Sequence, residues 1–196
     1  MSGDATRLAY PFTEAAVRKL RAGDLVRVSG RVFTGRDRLH AHLAAGGRAP
    51  VPLADGAMFH CGPVVVPHAG GWRVAAAGPT TSIREEPYMA AVIGAQGVRV
   101  IIGKGGMGAK TAEACRKHGC VYLQAAGGAA ALLAQRIPRV EGVYFLDEFG
   151  AAEALWVLEA DGLEAVVGID AEGRNLFDDI RDASRAALMA LRDNEE

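Results

Sequence analysis

The chain is short of cysteine, short of aromatics and free of long apolar runs, and each shortage removes a class of protein. Its three cysteines, Cys61, Cys115 and Cys120, are an odd number and cannot all pair within the chain. They read as reduced thiols of a cytoplasmic protein. None forms a C-x-x-C pair, and their spacing matches no common metal-ligand pattern, so no metal is expected on this chain. No stretch approaches the ~20 apolar residues that span a bilayer, and the opening MSGDATRLAYPF lacks the basic and then apolar order of a leader. A net charge of −1 carries no electrostatic footprint of nucleic acid or a membrane surface. The histidines, His40, His42, His60, His68 and His118, make no i, i+4 pair around a glutamate, which leaves a metalloprotease-type site unsupported.

Glycine is what the chain has in excess: 25 of its 196 residues, against a usual share of about 7%. With half the residues hydrophobic and 23% charged, the composition is that of a globular protein able to bury a sizeable core. Pattern and punctuation predict a helix over 13–21 capped by Thr13, a strand through Val26, Val28 and Val32, and a short helix opened by Asp37. Strands follow at 58–61, 64–66 and 72–77, then a helix over 87–95. The clearest signal is a strand over 98–102, a Gly-rich turn, a helix over 107–118 and a strand over 120–124. That compact strand–helix–strand unit predicts parallel pairing with a right-handed crossover. A helix over 129–136, strands at 154–159 and 165–170 and a terminal helix over 178–192 complete the reading. No repeat or linker interrupts the chain, so residues 1–196 are expected to form one α/β domain.

Three polar, Gly-rich segments each follow a predicted strand: Thr34-Gly35-Arg36-Asp37, Gly78-Pro79-Thr80-Thr81-Ser82-Ile83-Arg84, and Gly103-Lys104-Gly105-Gly106-Met107-Gly108. In open α/β sheets, ligands collect outside the carboxyl ends of the strands. If the segments converge, they bring together two guanidiniums, one ammonium and two threonine hydroxyls, a set suited to a small doubly negative ligand. The plainer reading of any one cation is a solvated surface charge, and that of Thr80 and Thr81 is helix capping. His40, one helical turn past Arg36, points either into the same cleft or out of a helix surface.

Two nucleotide readings fail a second check. Gly103 to Gly108 fits G-x-G-x-x-G, but a dinucleotide site expects an acid at the end of the next strand, where Gln124-Ala125-Ala126 stands. Ala109-Lys110-Thr111 suggests a phosphate loop, yet Lys104 and Ala109 occupy its glycine positions.

Gly35-Arg36-Asp37 with His40, His60-Cys61-Gly62-Pro63-Val64-Val65, Gly78-Pro79-Thr80-Thr81-Ser82 with Arg84, Gly103-Lys104-Gly105-Gly106-Met107 and Gly127-Gly128-Ala129-Ala130 occur in this order. Together, over roughly residues 10–180, they resemble the beta subunit of class I fumarate hydratase and L(+)-tartrate dehydratase, a region that is the carboxyl-terminal domain in single-chain members. The resemblance implies a swivelling β/β/α domain that closes over a site shared with an alpha subunit, in an α2β2 heterotetramer. That partner would hold a [4Fe–4S] cluster. The implied reaction is the reversible hydration of fumarate to (S)-malate, with tartrate dehydration, mesaconate hydration or a non-catalytic anion-binding module as alternatives. By resemblance Arg36, Arg84 and Lys104 would grip the substrate carboxylates with Thr81 assisting, Thr80 would be the base, Lys104 would also serve the developing alkoxide, and Asp37 and His40 would lie nearby. Glu85 and Glu86 follow this arginine, where the family commonly has Met and then an acid, so Glu85 is an extra carboxylate.

Overall fold

A computed structural model describes residues 5–193. The first four residues, on which part of the expectation of no leader rests, and the last three of the expected 1–196 unit lie outside them. In chain order the first half holds β1 (Thr6–Ala9), α1 (Glu14–Val17), β2 (Leu25–Gly35), α2 (Asp37–Ala44), β3 (Ala57–His60), β4 (Val64–His68) and β5 (Gly71–Ala76). A 3-10 turn (Ser82–Glu85), α3 (Glu86–Gln96), β6 (Val100–Gly103), α4 (Ala109–His118), β7 (Val121–Gln124) and α5 (Ala130–Ala134) follow. The last third holds β8 (Arg139–Tyr144), α6 (Leu146–Phe149), β9 (Leu155–Ile169) and α7 (Leu176–Asp193).

One seven-stranded sheet runs in the order β1-β2-β3-β6-β7-β9-β8, and β4 and β5 form a separate hairpin. β1, β2, β3, β6 and β7 are parallel neighbours, as the strand–helix–strand unit β6–α4–β7 requires. β9 is antiparallel to all its partners: β2 lies along one edge, and β8 and then β7 share the other. Because β2 also belongs to the parallel run β2-β3-β6-β7, the sheet closes on itself. The fold is mixed α/β around a parallel sheet.

Side-chain alternation then sorts the core into two. Ala57 and Phe59 of β3, Val100 and Ile102 of β6, and Val121 and Leu123 of β7 face one cluster with Val26, Leu158 and Val167. The residues between them, Met58, Ile101 and Tyr122, face the other, where Leu39 and Leu43 of α2, Met89 and Ile93 of α3 and Ala114 of α4 pack. Period 2 along the strands and 3.6 along the helices produce this division.

Several expectations need correction. The two strands expected at 154–159 and 165–170 are one, because β2 pairs with β9 from Leu25↔Val166 to Phe33↔Val157 across a bulge at Val28/Gly30. The helix expected over 13–21 is helical only over Glu14–Val17, though Thr13 does cap it by accepting from the Ala16 N–H at 3.3 Å. Asp37 is the first residue of α2 and not its cap; Glu153 takes that role from 115 residues away by accepting from the Arg38 N–H at 3.0 Å. α4 starts at Ala109, two residues later than expected. β1, β8 and α6 were not anticipated: they are short, and β8 is bulged between Val140 and Gly142.

Candidate active site

The parallel strands β2, β3 and β6 are neighbours, so their carboxyl ends lie on one edge of the sheet. Arg36 directly follows the end of β2, and Lys104 directly follows the end of β6. Between them runs the Pro79–Arg84 segment, laid across the ends of β3 and β6. The Thr80 N–H donates to the His60 carbonyl at 2.6 Å and the Ser82 N–H to the Lys104 carbonyl at 2.8 Å. Bridges pair Cys61 with Pro79 and Thr81 with Lys104. The three Gly-rich segments, whose convergence the sequence left open, lie together at this edge. Neither the 3-10 turn nor α3 takes Thr80 as its cap, and Thr81, at the head of that turn, makes no side-chain capping bond.

Glycines make this packing possible. A Cβ on Gly103 would lie 1.8 Å from Ser82 Oγ, and one on Gly62 would lie 3.1 Å from Arg36 Cδ. Gly127, in the loop after β7, faces the Lys104 stem at 3.5 Å. The close contacts at Gly62 and Gly103 explain why glycine stands at those two positions of the motifs that carry the resemblance.

The cations do not stand alone. Arg84, exposed on the 3-10 turn, is ion-paired with Asp37. It pairs with neither Glu85 nor Glu86. Arg36 Nε lies 3.5 Å from Glu153 Oε1 but makes no hydrogen bond there and is buried. Each guanidinium is thus held in place by a carboxylate of its own chain.

Beneath this layer lies a buried polar cluster that only partly showed in the sequence. His40, His60, Ser82 and Glu85 are all fully buried. His40 therefore points neither into an open cleft nor out of the helix surface. Its Nδ1 donates to the Arg36 carbonyl at 2.8 Å, and its ring stands edge-on to His60 with centroids 4.9 Å apart. Burial holds His40 down to about 4 and pushes His60 well below the usual imidazole range. Ser82 is a junction: its Oγ lies 2.9 Å from His60 Nδ1, accepts from the Lys104 N–H at 3.1 Å and from the Tyr122 hydroxyl at 3.2 Å. Tyr122 Oη also accepts from the Gly106 N–H at 3.2 Å, and Gln124 Oε1 from the Gly105 N–H at 3.0 Å. The Lys104 turn is thereby pinned from below. Ser82 and His60 were inside quoted motifs; Tyr122 and Glu153 carried no local signal.

The helix end that resembled a phosphate loop is already filled. Glu86 accepts from the N–H groups of Gly108, Lys110 and Thr111 at 2.8, 3.0 and 3.2 Å, and from the Thr111 hydroxyl at 2.6 Å. An internal carboxylate thus occupies the anion site that a helix N-terminus offers. The thiols are dispersed as well: Cys61 lies in one core cluster, and Cys115 and Cys120 in the other. Burial raises Cys61 to about 12; a hydrogen bond with Cys120, aided by burial, raises Cys115 well above the usual thiol range. These residues do not fit an iron–sulfur cluster, and among the described residues no three side chains of His, Cys, Asp or Glu gather as a metal site.

Comparison with known proteins bears on the same residues. The family model described as fumarase C-terminus matches residues 4–180. A provisionally named class I fumarate hydratase of Geobacillus stearothermophilus is 46% identical over 187 residues, which is 95% of this chain but 36% of that protein. The L(+)-tartrate dehydratase subunit beta of Escherichia coli is 35% identical over 173 residues, 87% of this chain and 85% of the relative. A provisionally named L(+)-tartrate dehydratase subunit beta of Methanocaldococcus jannaschii is 35% identical over 181 residues, 88% and 93% of the two chains. The chain therefore spans about a third of the first relative and most of the other two. The matched region contains every segment of the cation edge, and the chain belongs to the fumarase C-terminus family.

Proposed function

We propose that this chain is the beta subunit of a hydro-lyase that reversibly hydrates fumarate to (S)-malate at a site shared with an alpha subunit. One observation carries the reading: Arg36, Arg84 and Lys104 reach the same sheet edge from three segments, with Thr80 and Thr81 between them. Three positive charges against Asp37 and Glu153 leave one charge in excess, which favours an anion at this edge.

In this reading Arg36 and Arg84 exchange their intrachain carboxylates for those of the substrate. Bidentate contact with planar carboxylates suits guanidinium, and the exchange keeps each guanidinium paired while it releases Asp37 and Glu153. Thr81 assists from the exposed face. Thr80 takes or returns the proton at carbon. A hydroxyl is a weak base at its ordinary pKa and needs a cation close by; Lys104, bridged to Thr81, supplies it and steadies the developing alkoxide. The chain's own thiols do not fit a [4Fe–4S] cluster, so we place that cluster in the alpha subunit of an α2β2 assembly in the cytoplasm. The domain swivels to close its cation edge over the partner.

The identities with two tartrate dehydratase beta subunits favour L(+)-tartrate dehydration as the second reading. Mesaconate hydration would use the same cations with a different wall, and a non-catalytic anion-binding module would use the cations alone. The test is co-expression with a partner carrying three spaced cysteines, followed by anaerobic assay on fumarate, malate, both tartrates and mesaconate. Turnover of fumarate supports the first reading and turnover of L(+)-tartrate alone replaces it with the second. Dicarboxylate binding without turnover leaves the binding module.

A further inference from the structure

Glu85 is the anomaly of the cation edge. It sits immediately after Arg84, and it is fully buried. Neither carboxyl oxygen has a hydrogen-bond partner among the described residues. Its nearest candidate, His40 Nδ1 at 3.4 Å, has its proton committed to the Arg36 carbonyl. His40 Nε2 and His60 Nε2 are also buried without partners. An ionised carboxylate in such a place has no compensating donor, and burying one costs far more than burying the neutral acid.

The charges around Glu85 come from every neighbouring element. Arg36, Asp37 and His40 lie at the start of α2, Arg84 on the 3-10 turn and Glu153 before β9, with His60 at the end of β3 behind His40. Burial, Asp37 and Glu153 favour the neutral form; Arg84 and Arg36 favour the charged form; together they raise Glu85 to about 7. The two groups that draw it towards ionisation are the two guanidiniums assigned to the substrate.

We propose that Glu85 is a positioning residue of the anion site: neutral, it leaves Arg36 and Arg84 to the substrate carboxylates, and ionised, it competes for them from beneath. The inference rests on the dicarboxylate reading given above. With Glu85 neutral, the three cations outnumber Asp37 and Glu153 by one charge; with Glu85 ionised, the excess vanishes. Substrate binding and Glu85 ionisation therefore oppose each other, and by linkage a bound dianion keeps Glu85 protonated.

The experiment uses the chain together with its partner subunit and compares wild type with Glu85→Gln and Glu85→Met, both permanently neutral. KM for fumarate and Kd for fumarate by calorimetry are followed from about pH 6 to about pH 8.5. Wild type should lose affinity by roughly tenfold more than either variant over this range, and the two variants should track each other, with the effect carried by KM and not kcat. Difference infrared spectra should show a protonated-carboxyl band in wild type at low pH that fades on raising pH and is missing from both variants. Superimposable affinity profiles in the three proteins, or no such band in wild type, would overturn the assignment. Failure of every hydro-lyase assay with pH-dependent fumarate binding retained would count against hydration alone, while loss of fumarate binding at every pH in Glu85→Met as well as Glu85→Gln would make Glu85 a structural part of the site and overturn the competition.

Discussion

At the scale of single residues, Thr80 is where catalysis and structure can be separated. Capping was the plain reading of a threonine after proline, and no helix takes Thr80 as its cap. Thr80→Ala should therefore change stability, read from the denaturant midpoint, by no more than about 0.5 kcal/mol, since Thr80 is only half-buried and lies outside both core clusters. In the two-subunit enzyme it should lower kcat by ~10²–10⁴ if the hydroxyl moves the proton, whereas Thr80→Ser keeps the hydroxyl and should retain turnover. A normal kcat for the alanine variant would hand the base to the partner. Stability tests the buried pair behind it. His40 falls to about 4 in the folded chain, so its contribution is full above its ordinary 6.5 and is lost as pH falls towards 4. Glu85 rises to about 7, so its contribution runs the other way, full below its ordinary 4.5 and lost as pH rises to 7. Between about 4.5 and 6.5 the two largely cancel. Wild type should show a nearly flat stability there, and Glu85→Gln should uncover a rise with pH from His40 alone, read from urea midpoints. A variant as flat as wild type would mean that the two groups do not titrate as described.

At the scale of elements, α4 depends on a residue outside itself. Its own N-cap position is Gly108, which supplies no side-chain acceptor, and Glu86 of α3 fills the gap with four hydrogen bonds. Glu86→Ala should cost about 1–2 kcal/mol, the range of a strong N-cap, and Glu86→Gln should recover part of it. Equal midpoints for Ala and wild type would show that water replaces the carboxylate without loss. The contact also marks how far sequence could be read. The β6–α4–β7 unit was legible because local signals agree: an apolar run, glycines, a periodic helix and Gly119 at the stop. The long β9 was not, because its continuity comes from pairing with β2, which lies more than 120 residues earlier. The three cationic segments were legible as motifs, and their convergence follows once β2, β3 and β6 are neighbours. The carboxylates that hold them were less so. Asp37 was placed near the site but given the wrong contact. Glu153 reaches α2 only through the fold.

At the scale of the whole molecule, the cation edge is, in the function proposed above, one part of a site that a partner completes. Its positive groups lie at the surface of one domain, with Thr81 and Arg84 exposed, and the chain spans 36% of one relative yet most of two others whose printed names make them beta subunits. The same region thus matches both part of a longer protein and separate chains. Metal binding tests the division directly, because a cysteine that ligates a cluster must be a thiolate and this chain raises the cost of making one. Cys61 is pushed up to about 12, Cys115 well above the thiol range, and the two lie in different core clusters. Purified alone under anaerobic conditions with iron and sulfide, the chain should stay colourless, return iron well below one atom per chain and show no hydration of fumarate. Adding the partner should restore colour and turnover together. A visible iron–sulfur absorbance in the isolated chain would overturn the assignment of the cluster to the partner, and hydration by the colourless chain alone would overturn the need for one.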